Sequence, residues 1–307
     1  MNPKSFSNEA SRERHLKSGI VSRSYGKGHY DVFYEGKLVS ALCTKQLDLI
    51  VGDYIKIEQG GTETLIVDAH ERTSEIRKLT GNTRKRLRTF IQEQVVAANV
   101  NIGVIVAPIQ KPKFQPRFVD RYLVVLENGN IRPVICVNKI DLGRERPEGF
   151  SIYESIGVTI IETSAVSTEG LEQLKEEIRG KVAVLVGHSG TGKSSLINAI
   201  LPSASIRIRE VNKKTGGGKH TTSAVGMYQW EQDSFIIDTP GIRALGIGNI
   251  PKEQMRYLFP EFADYNNACR FRDCLHDHEP ACAVKNAVEQ GLVSKARYGS
   301  YLRILHE

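Results

Sequence analysis

Long apolar runs are missing from this chain. None approaches the roughly 20 residues a helix needs to cross a bilayer, so no membrane-spanning helix is expected. The opening stretch, Met1 to Lys17, is polar and charged with no apolar centre. It does not read as a secretory signal, and a disordered tail is expected over 1–15. Internal repeats and low-complexity tracts are also lacking, which excludes solenoid and fibrous classes. Cysteine is scarce, at 5 among 307 residues, too few for a disulfide scaffold, and a cytoplasmic location is the expectation. What is present is ordinary for a globular protein of two or three domains: 40% hydrophobic and 25% charged residues. The net charge of +7 favours a polyanionic partner, most simply nucleic acid.

From Leu16 to about Lys78 short alternating runs are separated by turn residues, with strands expected at Gly19–Ser24, His29–Tyr34, Lys37–Leu42, Tyr54–Gln59 and Thr64–Ala69. Five short strands in this space predict a small OB-fold barrel over 16–80. Such barrels bind nucleic acid through aromatic and basic residues, and Tyr25, Tyr30 and Tyr34 are candidates, the simpler reading of each being a packing role. The run Thr83-Arg84-Lys85-Arg86-Leu87-Arg88 makes 81–92 a basic linker, either a phosphate contact or a solvated hinge. From about Glu93 to 249 apolar strands alternate with helices, the signature of a doubly wound, mostly parallel α/β sheet.

Within that region Gly187-His188-Ser189-Gly190-Thr191-Gly192-Lys193-Ser194, followed by Ser195, is a G-x-x-x-x-G-K-S phosphate loop. It lies between the apolar strand Val182–Val186 and the helical run Ser195–Leu201, which is the context the motif requires. Its backbone N–H groups turn towards phosphate oxygens, Lys193 reaches the terminal phosphates and the Ser194 hydroxyl ligates Mg²⁺. Upstream, Asn138-Lys139-Ile140-Asp141 closes a strand as N-K-x-D. Asp141 can accept paired hydrogen bonds from guanine N1–H and N2–H₂, which adenine does not offer. Asn138 braces the loop, the Lys139 stem covers the ring, and Ser164-Ala165 offers backbone N–H to guanine O6.

Downstream, Lys213–Thr222 is a basic, glycine-rich segment suited to a mobile switch. A strand at Ser234–Ile237 then runs into Asp238-Thr239-Pro240-Gly241, where Asp238 would hold the metal's outer shell and the Gly241 N–H would sense the γ-phosphate. These are the five elements of a GTPase in circularly permuted order, since N-K-x-D and S-A precede the phosphate loop. Ile242 stands where many GTPases carry a water-orienting Gln, so slow intrinsic hydrolysis is expected, with His220 as the proposed catalytic group. Two rival readings are an RNA-binding scaffold using GTP as a conformational ligand and a phosphate-loop kinase.

Near the C-terminus, Cys269-x4-Cys274-x-His276-x5-Cys282 offers three thiolates and an imidazole, a tetrahedral zinc set. His278 is the alternative imidazole, and the spacing favours His276. One structural Zn²⁺ per chain is expected, because four protein ligands leave no open position. Arg270 and Arg272 between the ligands are placed to reach RNA phosphates. Val284–Gln290 and Ser294–Leu305 read as helices with basic positions Lys295, Arg297 and Arg303, completing a helical zinc-binding domain over 250–307.

The order of the motifs, the G-K-H-T-T segment Gly218–Thr222 and the cysteine segment resemble the circularly permuted, ribosome small-subunit-dependent GTPases of bacteria, over nearly the whole chain. The resemblance implies a cytoplasmic GTPase, here expected to be a monomer, acting late in small-subunit assembly and stimulated by that subunit and its rRNA. It supports His220 as catalytic beside Lys193, Thr221 and Thr222, and favours Thr222 as the second Mg²⁺ ligand.

Overall fold

A computed structural model of the chain describes residues 17–60, 63–80, 92–146, 149–201, 225–238, 247 and 250–307. The first five strands are β1 Lys17–Gly26, β2 His29–Tyr34, β3 Lys37–Cys43, β4 Tyr54–Gly60 and β5 Glu63–Ala69. They close a barrel in the order β1-β2-β3-β5-β4, with β3 and β5 parallel and the other pairs antiparallel. That connectivity is the OB-fold expected from the strand spacing. Period-two alternation sends Val21, Val32, Ile55, Ile57 and Ile66 inward as the barrel core. Tyr30 and Tyr34 also point into that core, leaving Tyr25, 57% exposed, as the one solvent-facing member of the tyrosine trio.

The barrel ends at Ala69. The next strand, β6 Glu75–Thr80, pairs antiparallel with β7 Gln92–Ala98, so residues 75–98 form a separate two-stranded ribbon whose connection carries the basic run of 83–88. That run and the tail before Lys17 lie outside the described residues. The ribbon is tied to its neighbours by side-chain bonds. Asn99 Nδ2 donates to Gly52 O of the barrel at 2.9 Å, and Asn130 Nδ2 donates to Thr73 O at 3.0 Å.

The central sheet comprises β8 Ile102–Pro108, β9 Arg132–Asn138, β10 Thr159–Thr163, β11 Val182–Val186, β12 Gly226–Glu231 and β13 Ser234–Asp238. Its order is β10-β9-β8-β11-β13-β12, parallel except for the antiparallel edge strand β12. Seven consecutive buried residues in β8 and five in β11 show strands covered on both faces, as a parallel sheet requires. Helices α1 Pro116–Asn128, α2 Phe150–Ser155, α3 Leu171–Ile178 and α4 Lys193–Ile200 provide the cover. The barrel protects the β12 edge: Ser22 Oγ donates to Met227 O at 2.9 Å, and the Phe33 and Phe235 rings lie 5.2 Å apart.

After Ile250 come α5 Lys252–Met255, α6 Ala263–Asn266, α7 Ala283–Glu289 and α8 Lys295–Leu305. Phe259, Phe262 and Tyr301 form a ring cluster beneath them, with centroids 5.0–5.3 Å apart. The basic positions expected on α8 divide. Lys295 and Arg303 are exposed, but Arg297 is only 2% exposed. Its guanidinium bonds Asp120 of α1 at 2.7 Å and Glu261 at 2.7 Å and stacks 4.7 Å over Phe259. The charge on Arg297 thus joins two domains and is withdrawn from any RNA.

Candidate nucleotide site and metal centre

The chain runs outward from β8 through β9 to β10, then returns to lay β11 on the other side of β8. The connections after β8 and β11 diverge from that point, and such a switch point leaves a crevice at the carboxyl ends of the strands. The motifs gather there. Register pairs Asn138 of β9 with Pro108 of β8 and with Thr163 of β10, while Val186 pairs with Ile105. The ends of β9, β10 and β11 therefore present Asn138–Asp141, Ser164–Ala165 and the loop from Gly187 side by side.

Side chains then lock these ends together. Asn138 is 1% exposed, and its Nδ2 donates to Thr191 O inside the phosphate loop at 2.9 Å. Its Oδ1 accepts from the Thr163 hydroxyl at 3.4 Å. Gly192 must be glycine: its φ is +98°, and a Cβ there would lie 2.2 Å from Asn138 Nδ2. Lys139, itself left-handed at φ 69°, extends its Nζ across the site to Gly190 O at 2.7 Å and to Lys111 O. Lys193 opens α4, with its Nζ 2.6 Å from Gly187 O and 2.7 Å from His188 O. His188, Ser189, Gly190, Ser194 and Ser195 are exposed, and Thr191 is buried with its hydroxyl on His188 O. The helix dipole and the N–H groups of the first turn of α4 thus face the same crevice.

Ser164 carries a role that the strand pattern did not reveal. Its backbone N–H already donates to Glu169 O at 2.9 Å, which leaves the Ala165 N–H for a base carbonyl. Its hydroxyl donates to Asp141 Oδ1 at 2.6 Å and accepts N–H bonds from Val166 and Ser167 at 3.2 and 3.0 Å. Ser164 therefore orients the Asp141 carboxylate. Asp238 ends β13, half-buried, beside the β11 end. Thr239–Gly241 and the whole Lys213–Thr222 segment, including His220, Thr221 and Thr222, lie outside the described residues.

The second site is the cysteine knuckle. Cys269 Sγ, Cys274 Sγ, Cys282 Sγ and a His276 ring nitrogen all lie within 4.8 Å of one another. A tetrahedral ion with Zn–S of about 2.3 Å and Zn–N of about 2.0 Å spaces its ligands by about 3.5–3.8 Å. Cys269 and Cys282 Sγ are 3.9 Å apart, and His276 Nδ1 is 3.5 and 3.3 Å from them. The donor set therefore fits zinc. His278 is not part of it: its Nε2 is on Asp277 at 2.8 Å.

Asn266, a residue with no motif signal, supplies what the imidazole needs. Its Oδ1 lies 2.7 Å from His276 Nε2, which assigns the proton to Nε2 and turns the Nδ1 lone pair towards the sulfurs. Burial holds the imidazole down at about 4 and pushes the Cys274 thiol up to about 12. Unliganded, these groups are neutral, and a divalent cation supplies the charge that strips the thiols of their protons. Glu279 finishes the turn by accepting N–H bonds from Leu275 at 2.8 Å and Asp277 at 2.9 Å.

Comparison with known proteins agrees with this geometry. The family model described as RsgA GTPase matches residues 69–248. A curated relative from Caldanaerobacter subterraneus, the small ribosomal subunit biogenesis GTPase RsgA, is 42% identical over 68% of this chain and 72% of its own length. The protein of the same name from Borreliella afzelii is 38% identical over 91% of this chain and 89% of its own. Among solved structures, YjeQ from Thermotoga maritima superposes with a TM-score of 0.74 at 29% identity, covering 95% of this chain and 98% of that one. The circularly permuted GTPase YloQ superposes with a TM-score of 0.73 at 28% identity, covering 95% and 94%.

Proposed function

The chain belongs to the RsgA GTPase family, and from that premise we propose that it hydrolyses GTP in the biogenesis of the small ribosomal subunit, slowly alone and faster when docked there. One observation carries the reading. Asn138 of the N-K-x-D element is bonded to Thr191 of the phosphate loop at 2.9 Å, although 53 residues separate them. A base reader and a phosphate cradle are thereby fixed at the two ends of one site, as a guanine nucleotide requires.

In this reading Asp141, oriented by Ser164, accepts from guanine N1–H and N2–H₂, the Lys139 stem covers the ring, and Ala165 offers its N–H to O6. The loop from Gly187 to Ser195 wraps the phosphates, with Lys193 turning from its carbonyl contacts to their terminal oxygens. Ser194 is the hard oxygen donor that would hold Mg²⁺, with Asp238 in the metal's outer shell; the ion neutralises phosphate charge when bound. Thr222 is the proposed switch ligand, and His220, brought in on the subunit, is the proposed catalytic group. The zinc is structural, its four positions filled by Cys269, Cys274, His276 and Cys282.

Two arms of one experiment test this. Small subunits added to the purified protein are expected to raise GTP turnover; an unchanged rate would leave only an RNA-binding scaffold with incidental hydrolysis. Asp141→Asn is expected to lose guanine affinity by about 3–4 kcal/mol, on the order of 10²–10³-fold, through two charge-assisted bonds. It should gain xanthosine triphosphate in exchange, because the new amide donates where xanthine carries a carbonyl. Undiminished GTP binding by Asp141→Asn would remove this residue from the base site.

A further inference from the structure

The crevice at the switch point has two walls. The phosphate loop follows β11, and residues 109–117 follow β8 and lead into α1. This second wall is fastened to the nucleotide site at several places. Ile109 N donates to Asn138 O at 2.9 Å, Gln110 Nε2 donates to Leu142 O, and Lys111 O accepts from Lys139 Nζ. Beyond its end, the Phe118 ring packs on His188 of the phosphate loop with centroids 4.4 Å apart. The segment is therefore held by the same residues that hold the nucleotide.

Its charged side chains are solvent-facing. Lys111, Lys113 and Arg117 are exposed, and none has an ion pair among the described residues. Other cations nearby are already matched. Arg144 makes two 3.1 Å bonds to Glu169, and Arg146 pairs with Glu154 at 2.8 Å and with Glu162. Lys111, Lys113, Arg144 and Arg146 line a cavity of about 1090 Å³ together with Phe114 and Pro116, with Glu145 as its acidic lining residue. Three cations without an ion pair among the described residues, Lys111 and Lys113 lining the cavity and Arg117 set 5.2 Å over the Phe118 ring, fit a phosphate backbone better than a folded acidic protein face, because phosphates every few ångströms can meet a row of point charges.

The geometry points to residues 111–117 as an RNA-backbone docking surface whose position is set by the nucleotide site through Lys139 and the Phe118–His188 contact. This rests on the proposed function and adds the surface by which the subunit's RNA engages the GTPase domain. Movement of the phosphate loop shifts Gly190 and His188, which reach this segment through Lys139 and through Phe118 just beyond its end. RNA held by Lys113 and Arg117 is then sensed at the nucleotide, and the nucleotide is sensed at the RNA.

The test is a Lys113→Glu/Arg117→Glu variant of the full chain, with small-subunit affinity measured by sedimentation against salt in a non-hydrolysable GTP analogue. GTP affinity and turnover without subunits are expected to stay within about twofold of the parent. Subunit affinity should fall on the order of 10–100-fold, and the slope of log K against log salt should drop by about 1.5. Arg117→Lys in the parent should keep most of the slope. If the parent binds subunits and the double variant binds them with the same affinity and slope, this surface is overturned while the function stands. Failure of the parent itself to bind would overturn both. Affinity lost for intact subunits but kept for protein-free small-subunit RNA would transfer the surface to a ribosomal protein and overturn the RNA assignment. Should the double variant also lose GTP binding, Lys113→Glu alone decides by the same readouts.

Discussion

Val182–Val186 delivers the phosphate loop from a strand whose five residues are all buried, whereas the Cys269–Cys282 knuckle is framed by a four-residue helix, turns and a helix of seven. In the first region the sheet comes before the chemistry. Parallel strands end in register, and the motif residues need only bond across the gaps, as Asn138 does to Thr191. In the second the chemistry comes before the structure. Four donors from different turns, three of them buried, converge at distances that suit a shared cation. One site is made by the fold, and a cation bound at the other would help to make it.

Removing the metal from zinc-loaded protein should therefore separate the two more sharply than any substitution. Structural zinc contributes about 10–16 kcal/mol in small finger peptides, far more than the short helices around Cys269 can replace. Chelation is expected to abolish hydrogen-exchange protection over about 263–293 while GTP affinity changes less than about threefold. Retained protection there after stoichiometric zinc loss would show the knuckle to be as self-supporting as the sheet.

The next largest effect lies where the regions meet. Arg297 sits between Asp120 of the nucleotide domain and Glu261 of the C-terminal domain, with Ser300 and Tyr153 completing the bonds to Asp120. Arg297→Ala strands two buried carboxylates, so unfolding free energy should drop by about 3–5 kcal/mol. Arg297→Met is expected to recover only the packing share of it, since it keeps volume but leaves Asp120 and Glu261 unpaired. A loss below about 1 kcal/mol by denaturant titration would mean that the domains are joined chiefly by the Phe259–Phe262–Tyr301 cluster.

The difference also sets how far each region could be read without coordinates. Motif residues at strand ends were legible because strand, loop and helix leave periodic and glycine signals: Tyr54–Gln59 and Ser234–Ile237 were each placed to within a residue of β4 and β13. The knuckle ligands were legible because only cysteine and histidine supply that chemistry. Residues that act through another side chain left no such trace. Thr163 and Asn266 are common residues whose function exists only once register and packing bring them to Asn138 and His276. The β6–β7 ribbon was not foreseen, since its partners lie on either side of a basic connection. The burial of Arg297 was not legible either, because helical position alone does not say which face meets Asp120.

Ser164 supplies the smallest and most discriminating comparison, because two roles for it predict different outcomes. If it served the base through its backbone N–H, Ser164→Ala would leave binding intact. The N–H is committed to Glu169 O, however, and the hydroxyl donates to Asp141 at 2.6 Å. Ser164→Ala should then free the Asp141 carboxylate to rotate, costing a hydrogen bond to a charged group, about 1.5–2 kcal/mol. GTP and GDP affinity are expected to fall alike, on the order of 10–30-fold, with turnover at saturating GTP nearly unchanged, since the loss falls equally on ground and transition states. In an Asp141→Asn background the same substitution should have less effect, because the charge that strengthened the bond is gone. Equal losses in both backgrounds would place Ser164's contribution in the 164–167 turn, whose N–H groups it also caps, and not in the carboxylate that reads the base.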